Sequence, residues 1–184
     1  PDYTTFPQDR YNLVWQDGIW QAYENLRVTP RYFMTNKYAV VKNGNRALRT
    51  LFDPEFSEQD TLILYEDPKI KSGDLNSNAK LIGYSPNKVI FKTNSNNDGL
   101  LYFSDNYYPG WQARVDPSTS SGQANSEVKI YKANYAFRAV AVPPGEHEVV
   151  FEFRPKSFYY GLYAAFAAAV SLLLVSWLVR KRYG

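Results

Sequence analysis

The sequence predicts a mainly β (α+β) chain: an antiparallel β-sandwich with one or two short helices, followed by one C-terminal transmembrane helix. Three observations lead to this fold class. Aromatic residues make up 17% of the 184 residues, which favours strands. After residue 80, short apolar runs alternate with turn signals, as in sandwiches. Residues 158–179 contain no charged side chain at all.

The C-terminal apolar run has the length and the ends of a membrane span. As a helix, residues 158–179 cover roughly 33 Å, enough to cross a hydrocarbon core of about 30 Å. Tyrosines at its start and Trp177 near its end match the aromatic belts of two membrane interfaces. A buried core helix is the alternative, but such a helix usually keeps a polar face. The basic residues in 180–184 predict a cytoplasmic tail by charge bias.

The preceding residues divide into two portions of one predicted extracytoplasmic domain. Residues 1–79 read as an α+β portion and residues 80–157 as the antiparallel sandwich. In the first portion, apolar side chains at spacings near three and four predict an amphipathic helix, with Trp15, Ile19, Trp20, Tyr23 and Leu26 on one face. Strands are predicted at 31–35, 37–42 and 61–66, with a short helix capped by Asn43 or Asn45 between the last two.

In the sandwich portion, the sequence predicts a series of strands separated by turns. Residues 80–94 give two strands about a turn at Ser85, Pro86 and Asn87, or one long bent strand. The remaining strands are predicted at 100–105, 111–116, 127–134, 137–143 and 148–155. The Ser-rich stretch 116–126 predicts a mobile surface loop.

Charge and composition limit the kinds of partner that this chain is expected to have. The three basic residues of the tail equal the net charge of +3, so the rest is neutral and no nucleic-acid partner is expected. The lipid bilayer is the expected partner of the C-terminal run. Because the start has neither a basic nor an apolar export signal, we expect the C-terminal piece of a longer polytopic protein, packed on its own upstream transmembrane bundle. A tail-anchored cytosolic protein is the competing interpretation.

Catalytic and metal-binding patterns find little support. His147 is the only histidine and there is no cysteine, so a transition-metal site or a Ser-His-Asp triad would depend on one side chain, which is predicted to be solvated at the surface. Asp105 and Asp116 lie near the ends of neighbouring strands, but two acids at a sheet rim are common. No phosphate-binding glycine motif occurs. We therefore predict no catalytic residue, no metal site and no cofactor in this chain.

One cluster stands out, the sequence SDNYYPGW at 104–111. In a structural interpretation, its polar residues bond the backbone of a corner and Trp111 packs across the sandwich. In a functional interpretation, it is a glycan-binding platform, with aromatic faces stacking on sugars and polar groups bonding hydroxyls. The stacking residues would be Tyr107, Tyr108 and Trp111, with Asp105 and Asn106 as the hydrogen-bonding pair.

Several segments resemble the YfhO-type family of bacterial polytopic membrane proteins. The resemblance rests on SDNYYPGWQARVD (104–116), the stretch 127–153 and the single apolar helix after it, and extends to 29–41, 52–67 and 82–111. This chain departs from the family's short Asp-Gly turn, since Asp116-Pro117 and a Ser-rich insert follow the strand.

The resemblance implies a function for the longer protein. Such proteins are similar to GT-C glycosyltransferases, which take a sugar from a polyprenyl-phosphate donor, and some glycosylate cell-envelope polymers such as lipoteichoic acid. Their catalytic carboxylates lie in an early outer loop, so no catalytic residue is carried over to this chain. We expect a bacterial plasma-membrane protein whose domain acts as a lid or positions a lipid-linked sugar or polymer acceptor. The alternative is a non-catalytic structural or carbohydrate-binding domain anchored in the membrane.

Overall fold

The computed structural model describes residues 10–26, 28–53, 55–57, 60–116 and 126–183. The chain forms thirteen strands and two helices in this part. In chain order they are β1 Tyr11–Asp17, β2 Trp20–Asn25, β3 Tyr32–Thr35, β4 Lys37–Val40, α1 Gly44–Leu51, β5 Thr61–Leu64, β6 Ser77–Ser85, β7 Lys88–Ser95, β8 Gly99–Phe103, β9 Trp111–Val115, β10 Ser126–Val128, β11 Ile130–Ala133, β12 Phe137–Val142, β13 Gly145–Phe153 and α2 Lys156–Tyr183.

Two sheets face each other, which confirms the predicted mainly β fold. One sheet has five antiparallel strands in the order β10-β9-β13-β7-β6. The other has six, in the order β3-β8-β12-β11-β5-β4, and is antiparallel except for the β4–β5 pair. This second sheet draws strands from before and after residue 80, so the two portions of the domain share one architecture.

The main hydrophobic core fills the space between the sheets. Phe91 and Phe151 of the first sheet meet Phe103 of the second, and the three rings pack edge-on or tilted, with centroids 5.1 to 6.2 Å apart. Alternate residues of β7 and β13 point inward, as the period of a half-buried strand requires. A smaller cluster, including Leu62, Leu64 and Tyr102, covers the outer face of the six-stranded sheet.

The amphipathic helix predicted across Trp15 to Leu26 is wrong. These residues form a β-hairpin, in which β1 pairs with β2 as a separate two-stranded sheet. Its turn begins at Gly18, whose φ of +56° is the left-handed conformation that a two-residue hairpin loop with glycine first requires. A β-bulge between Leu13 and Trp15 shifts the register, so the apolar residues lose the strict alternation that identifies a strand.

The short helix α1 confirms the predicted cap. The Asn43 side chain accepts hydrogen bonds from the backbone N–H of Asn45 at 3.0 Å and of Arg46 at 3.2 Å, so two free donors of the first turn are satisfied. Ala47 faces the protein and is fully buried. The helix ends at Leu51, before the Asp53-Pro54 stop that the sequence suggests.

Removing this cap gives the first testable prediction. We expect Asn43→Ala to lower the free energy of unfolding by about 1 kcal/mol, because two backbone donors lose their acceptor. Asn45→Ala is the matched control, since only the backbone of Asn45 takes part in the cap, and it should change stability by less than about 0.5 kcal/mol. Urea unfolding of the detergent-solubilised chain would measure both, and equal effects would contradict the assignment of the cap.

The apolar C-terminal run forms one continuous helix, α2, of 28 residues. Its best 18-residue window has a mean hydropathy of 2.2, and none of that window is buried against the domain. Among the described residues it is the one helix long and apolar enough to cross a membrane by length and composition. The helix extends the predicted span 158–179 at both sides, to Lys156 and Tyr183.

One end of the sandwich adjoins α2, and we call it the helix end. Strand β13 stops at Phe153, and only Arg154 and Pro155 separate it from α2. Because Phe153 pairs with Trp111, the start of β9 lies at this end too. In the other sheet, the end of β8 and the start of β12 lie there, joined by the pair Arg138–Phe103. The turn after β7 and the turn before β13 lie at the opposite end.

Candidate functional site

The aromatic segment 104–111 forms a corner at the helix end, where it carries the chain from β8 in one sheet to β9 in the other. Two backbone hydrogen bonds fix it. Tyr107 N–H donates to Ala136 O at 2.7 Å, in the turn between β11 and β12, and Arg154 N–H donates to Gly110 O, also at 2.7 Å. The corner is therefore tied both to the six-stranded sheet and to the first residues after β13.

Asp105 binds two arginines. Its Oδ2 accepts from Arg138 Nη2 at 3.0 Å and its Oδ1 from Arg31 Nη2 at 3.2 Å. The Arg138 side chain is only 1% exposed, whereas that of Arg31 is 50% exposed. The hydrogen bond to Asp105 raises the pKa of Arg31, with a further contribution from Tyr84, and burial lowers the pKa of Arg138. Each carboxylate oxygen of this predicted hydroxyl-binding residue is thus already engaged within the fold.

Trp111 is held in a stack that crosses the sandwich. The Arg138 guanidinium carbon lies 4.0 Å from the centre of the Trp111 ring, a cation–π contact between β12 and β9. Phe153 packs on the same residue at a centroid distance of 5.4 Å. Sequence reasoning missed Arg138 altogether. The available signal was the charged residue in the otherwise apolar strand FRAVAV, because an arginine in a buried strand needs an oppositely charged partner.

The other side of the corner faces solvent. Tyr107 is 44% exposed and Tyr108 is 63% exposed, and Asn106 is exposed as well. Two shallow recesses adjoin them. One, of about 340 Å³, is lined by Tyr107, Tyr108 and Trp111 together with β10 residues and Lys129. The second, of about 440 Å³, lies on the side of Asp105, Asn106 and Pro86. Of the five predicted glycan-binding residues, three therefore present free surface and two are held mainly by the protein.

Arg138 lines both recesses and leaves hydrogen-bonding capacity unused. Its Nε and Nη1 atoms are buried and meet no acceptor within the described residues. Buried donors without partners are uncommon and cost free energy, and such a site gains most from an acceptor supplied by a ligand or by ordered water. The corner thus combines exposed aromatic faces with a recessed cation.

The corner lies within a segment that matches the model of a known protein family. The model of the family described as "Bacterial membrane protein YfhO" matches residues 69–164, which is more than half of the chain. The chain belongs to the YfhO family. The match begins before β6, includes the whole corner and ends inside α2. Searches against curated proteins and against solved structures gave no match.

In this YfhO-family chain, the corner continues into a charged rim beside α2. Glu152 accepts hydrogen bonds from Arg154 Nη2 at 2.9 Å and from Arg114 Nη2 at 2.7 Å. Arg154, with the charges of Arg114 and Lys88, holds the pKa of the Glu152 carboxyl below its usual range. A third recess, of about 380 Å³, runs from Pro109 and Trp111 to Lys156, so the aromatic corner and the first turn of α2 share one groove.

The carboxylate pair considered from the sequence does not come together. Asp105 lies at the helix end, whereas Asp116 follows β9 at the other end, where its N–H donates to Glu148 O.

The predicted solvated position of His147 is wrong, because the residue is 6% exposed. Its Nδ1 lies 2.7 Å from Asp116 O and its Nε2 lies 3.0 Å from Pro144 O, so the ring ties the strand ends together. Within the described ranges, no group of three or more His, Asp or Glu side chains could hold a metal ion.

Proposed function

We propose that this chain is the C-terminal part of a GT-C-type membrane glycosyltransferase that acts on cell-envelope polymers. In this proposal, residues 1–157 are extracytoplasmic, α2 is the last span after an upstream transmembrane bundle, and residues 180–184 are cytoplasmic. The basic tail supports this orientation, because positive residues favour the cytoplasmic side. The polyprenyl-phosphate donor and the carboxylates that catalyse transfer belong to the upstream part, as the family resemblance implies.

The domain's own part in this reaction is to position a glycan at the membrane surface. One observation carries the proposal: exposed Tyr107 and Tyr108 border a recess that shares Trp111 with the groove reaching Lys156, the first residue of α2. A lipid-linked sugar or a membrane-bound polymer presents its carbohydrate at this height. Flat aromatic faces bind the apolar faces of sugars, while Asn106 and the second oxygen lone pairs of Asp105 remain for hydroxyl groups.

A second candidate, a purely structural domain, is favoured by a different observation. Trp111 and Asp105 both contact the buried Arg138 and so help to close the helix end of the sandwich. Half of the corner therefore has a stabilising role whatever the other half binds. Exposed Tyr108 separates the two candidates better than Trp111, because its truncation leaves the Arg138 contacts in place.

Tyr108→Ala tests the glycan proposal. We expect it to weaken binding of purified lipoteichoic acid to the reconstituted chain about tenfold, or about 1.4 kcal/mol, because truncating an aromatic anchor in a binding site has effects of this size. Unfolding should change by less than about 0.5 kcal/mol, since the side chain is 63% exposed. Isothermal titration and thermal melting would measure the two quantities.

Phe52→Ala is the matched control, because Phe52 is an 83% exposed aromatic residue at the end of α1, outside the corner. It should leave glycan binding unchanged. If the wild-type chain and Tyr108→Ala bind lipoteichoic acid equally, the corner is not the platform. If the wild-type chain does not bind lipoteichoic acid, the structural candidate is preferred.

A further inference from the structure

The exposed apolar side chains of the domain are concentrated at one end. Apart from those in α2, the large apolar residues that are exposed all lie in the β1–β2 hairpin and its link or around the helix end, among the described residues. The second group comprises Val40, Phe52, Ile82, Tyr84, Tyr107, Tyr108 and Tyr135. At the opposite end, with the turns after β7 and before β13, no described residue belongs to either group. Such segregation indicates an interaction surface, because isolated exposed apolar residues are scattered on ordinary soluble domains.

The hairpin provides the largest part of this surface. Ile19 and Trp20 at its turn are 91% and 72% exposed, and Trp15 is 54% exposed. Trp15 pairs with Ala22 and Trp20 with Asp17, two residues apart on each strand, so both tryptophans project from the same face. Neither β1 nor β2 pairs with a strand of the two larger sheets in the part of the chain that the structure describes. A two-stranded hairpin alone in water is marginally stable, so it requires a surface to cover it.

The base of the hairpin lies at the helix end. Leu26 N–H donates to Arg10 O and closes the base, and Ser104 N–H donates to Arg31 O just before β3. Arg10 and Pro30 border a recess with Ser104 and Phe137, which are both residues of the helix end. The hairpin therefore begins at the same end of the sandwich as α2. With seven residues in β1, it can reach about 23 Å from its base.

The position of α2 limits what can cover this surface. Only two residues separate β13 from α2, and two residues span at most about 7 Å. The helix end of a domain so linked to a membrane helix lies against the bilayer. Trp and Tyr prefer the headgroup level of a bilayer, where the ring is buried and its polar atom stays hydrated. The hairpin bears few charges, with Asp17 and Glu24 acidic and Arg10 basic, so its attraction is apolar rather than electrostatic.

From these observations we propose that the β1–β2 hairpin is a second membrane contact, whose tip residues Trp15, Ile19 and Trp20 insert into the bilayer interface beside α2. The occupant of this apolar surface is lipid. The domain then contacts the membrane at two points, the α2 span and the β1–β2 hairpin. These two contacts fix the tilt of the domain over the membrane and the height of the aromatic corner. Contact at the hairpin restricts rotation of the domain about the axis of α2, which α2 by itself does not.

The absence of cysteine from the sequence gives a direct test. Ile19→Cys and Asp98→Cys would each be labelled with the environment-sensitive dye NBD in the full chain, reconstituted in phosphatidylcholine nanodiscs. Asp98 is the matched control, since it is exposed in the turn after β7 at the opposite end. We expect blue-shifted emission from the label at residue 19, with several-fold stronger quenching by lipids that carry a nitroxide near the headgroup. The label at residue 98 should show neither effect.

A second variant distinguishes insertion of the hairpin tip into the bilayer from a position merely close to it. Trp15→Ala combined with Trp20→Ala, in the Ile19→Cys background, should reduce the quenching at residue 19, because these rings supply most of the buried surface. Equal emission and quenching at residues 19 and 98 would overturn the proposal. So would a blue shift without lipid quenching, which would mean that a second copy or another protein covers the hairpin. The glycan proposal does not depend on this result.

Discussion

Asp105→Ala is expected to lower the free energy of unfolding by about 3 kcal/mol or more, because it leaves the charge of Arg138 buried without its carboxylate. The Arg138 side chain is 1% exposed, and the cation–π contact with Trp111 cannot replace a counter-ion. Asp105→Asn keeps a hydrogen-bond acceptor and should cost less. Urea unfolding of the chain in detergent, followed by tryptophan fluorescence, would measure these differences, since Trp111 reports on the same contact.

Two further variants show whether the buried charge is the cause. Arg31→Ala removes the other partner of Asp105, which is half exposed, and should cost less than about 1 kcal/mol. In the double variant Asp105→Ala, Arg138→Met, no unpaired charge is left inside, so most of the lost stability should return. If the double variant is no more stable than Asp105→Ala alone, the loss comes from the corner backbone and not from the ion pair.

The sandwich was predictable because its signals are local. In β7 and β13 inward and outward residues alternate, and the turn at Pro86 and Asn87 lies between two strands, as the sequence suggests. The cap at Asn43 follows the same logic, since a short side chain before an apolar face needs only its neighbours. The apolar run that became α2 needs even less context.

The hairpin was mispredicted because the spacing of its apolar residues fits two structures. Trp15, Ile19 and Tyr23 recur every four residues, as on a helix, and the bulge at Val14 hides the alternation of β1. Gly18 was the contrary signal, because glycine at the first position of a two-residue loop favours a hairpin turn. A local turn signal outweighed periodicity in this segment.

The corner was found in sequence, but its internal partners were not. Arg138 lies 33 positions from Asp105, and the contact depends on which face of β12 turns inward. His147 was misplaced for the same reason, since a residue after a Pro-Pro-Gly turn is normally solvated, yet here its ring meets carbonyls from two segments. Long-range polar pairing depends on which strands become neighbours within and across the two sheets, and the spacing along one strand does not specify that.

Gly110 is a residue of the corner that packs closely against the segment leading into α2. Its φ is +106°, a conformation that L-residues rarely adopt, and a Cβ added there would lie 2.9 Å from Phe153 Cε2 and 3.1 Å from Pro155 Cα. The backbone atom of Pro155 cannot rotate away, because Arg154 N–H donates to Gly110 O at 2.7 Å. We expect Gly110→Ala to cost about 3 kcal/mol of unfolding free energy, from backbone strain and overpacking together.

Gly73→Ala is the matched control, since nothing lies within 4 Å of its added Cβ, and it should change stability by less than about 1 kcal/mol. The Gly110 variant also tests the connection between fold and site. To relieve the clash, the corner must move away from Pro155, and the groove that joins Trp111 to Lys156 changes shape with it. The glycan proposal therefore predicts that lipoteichoic acid binding falls in Gly110→Ala even at temperatures where the chain is folded. Unchanged melting would mean that the corner and α2 are not held together by the backbone contact at Gly110.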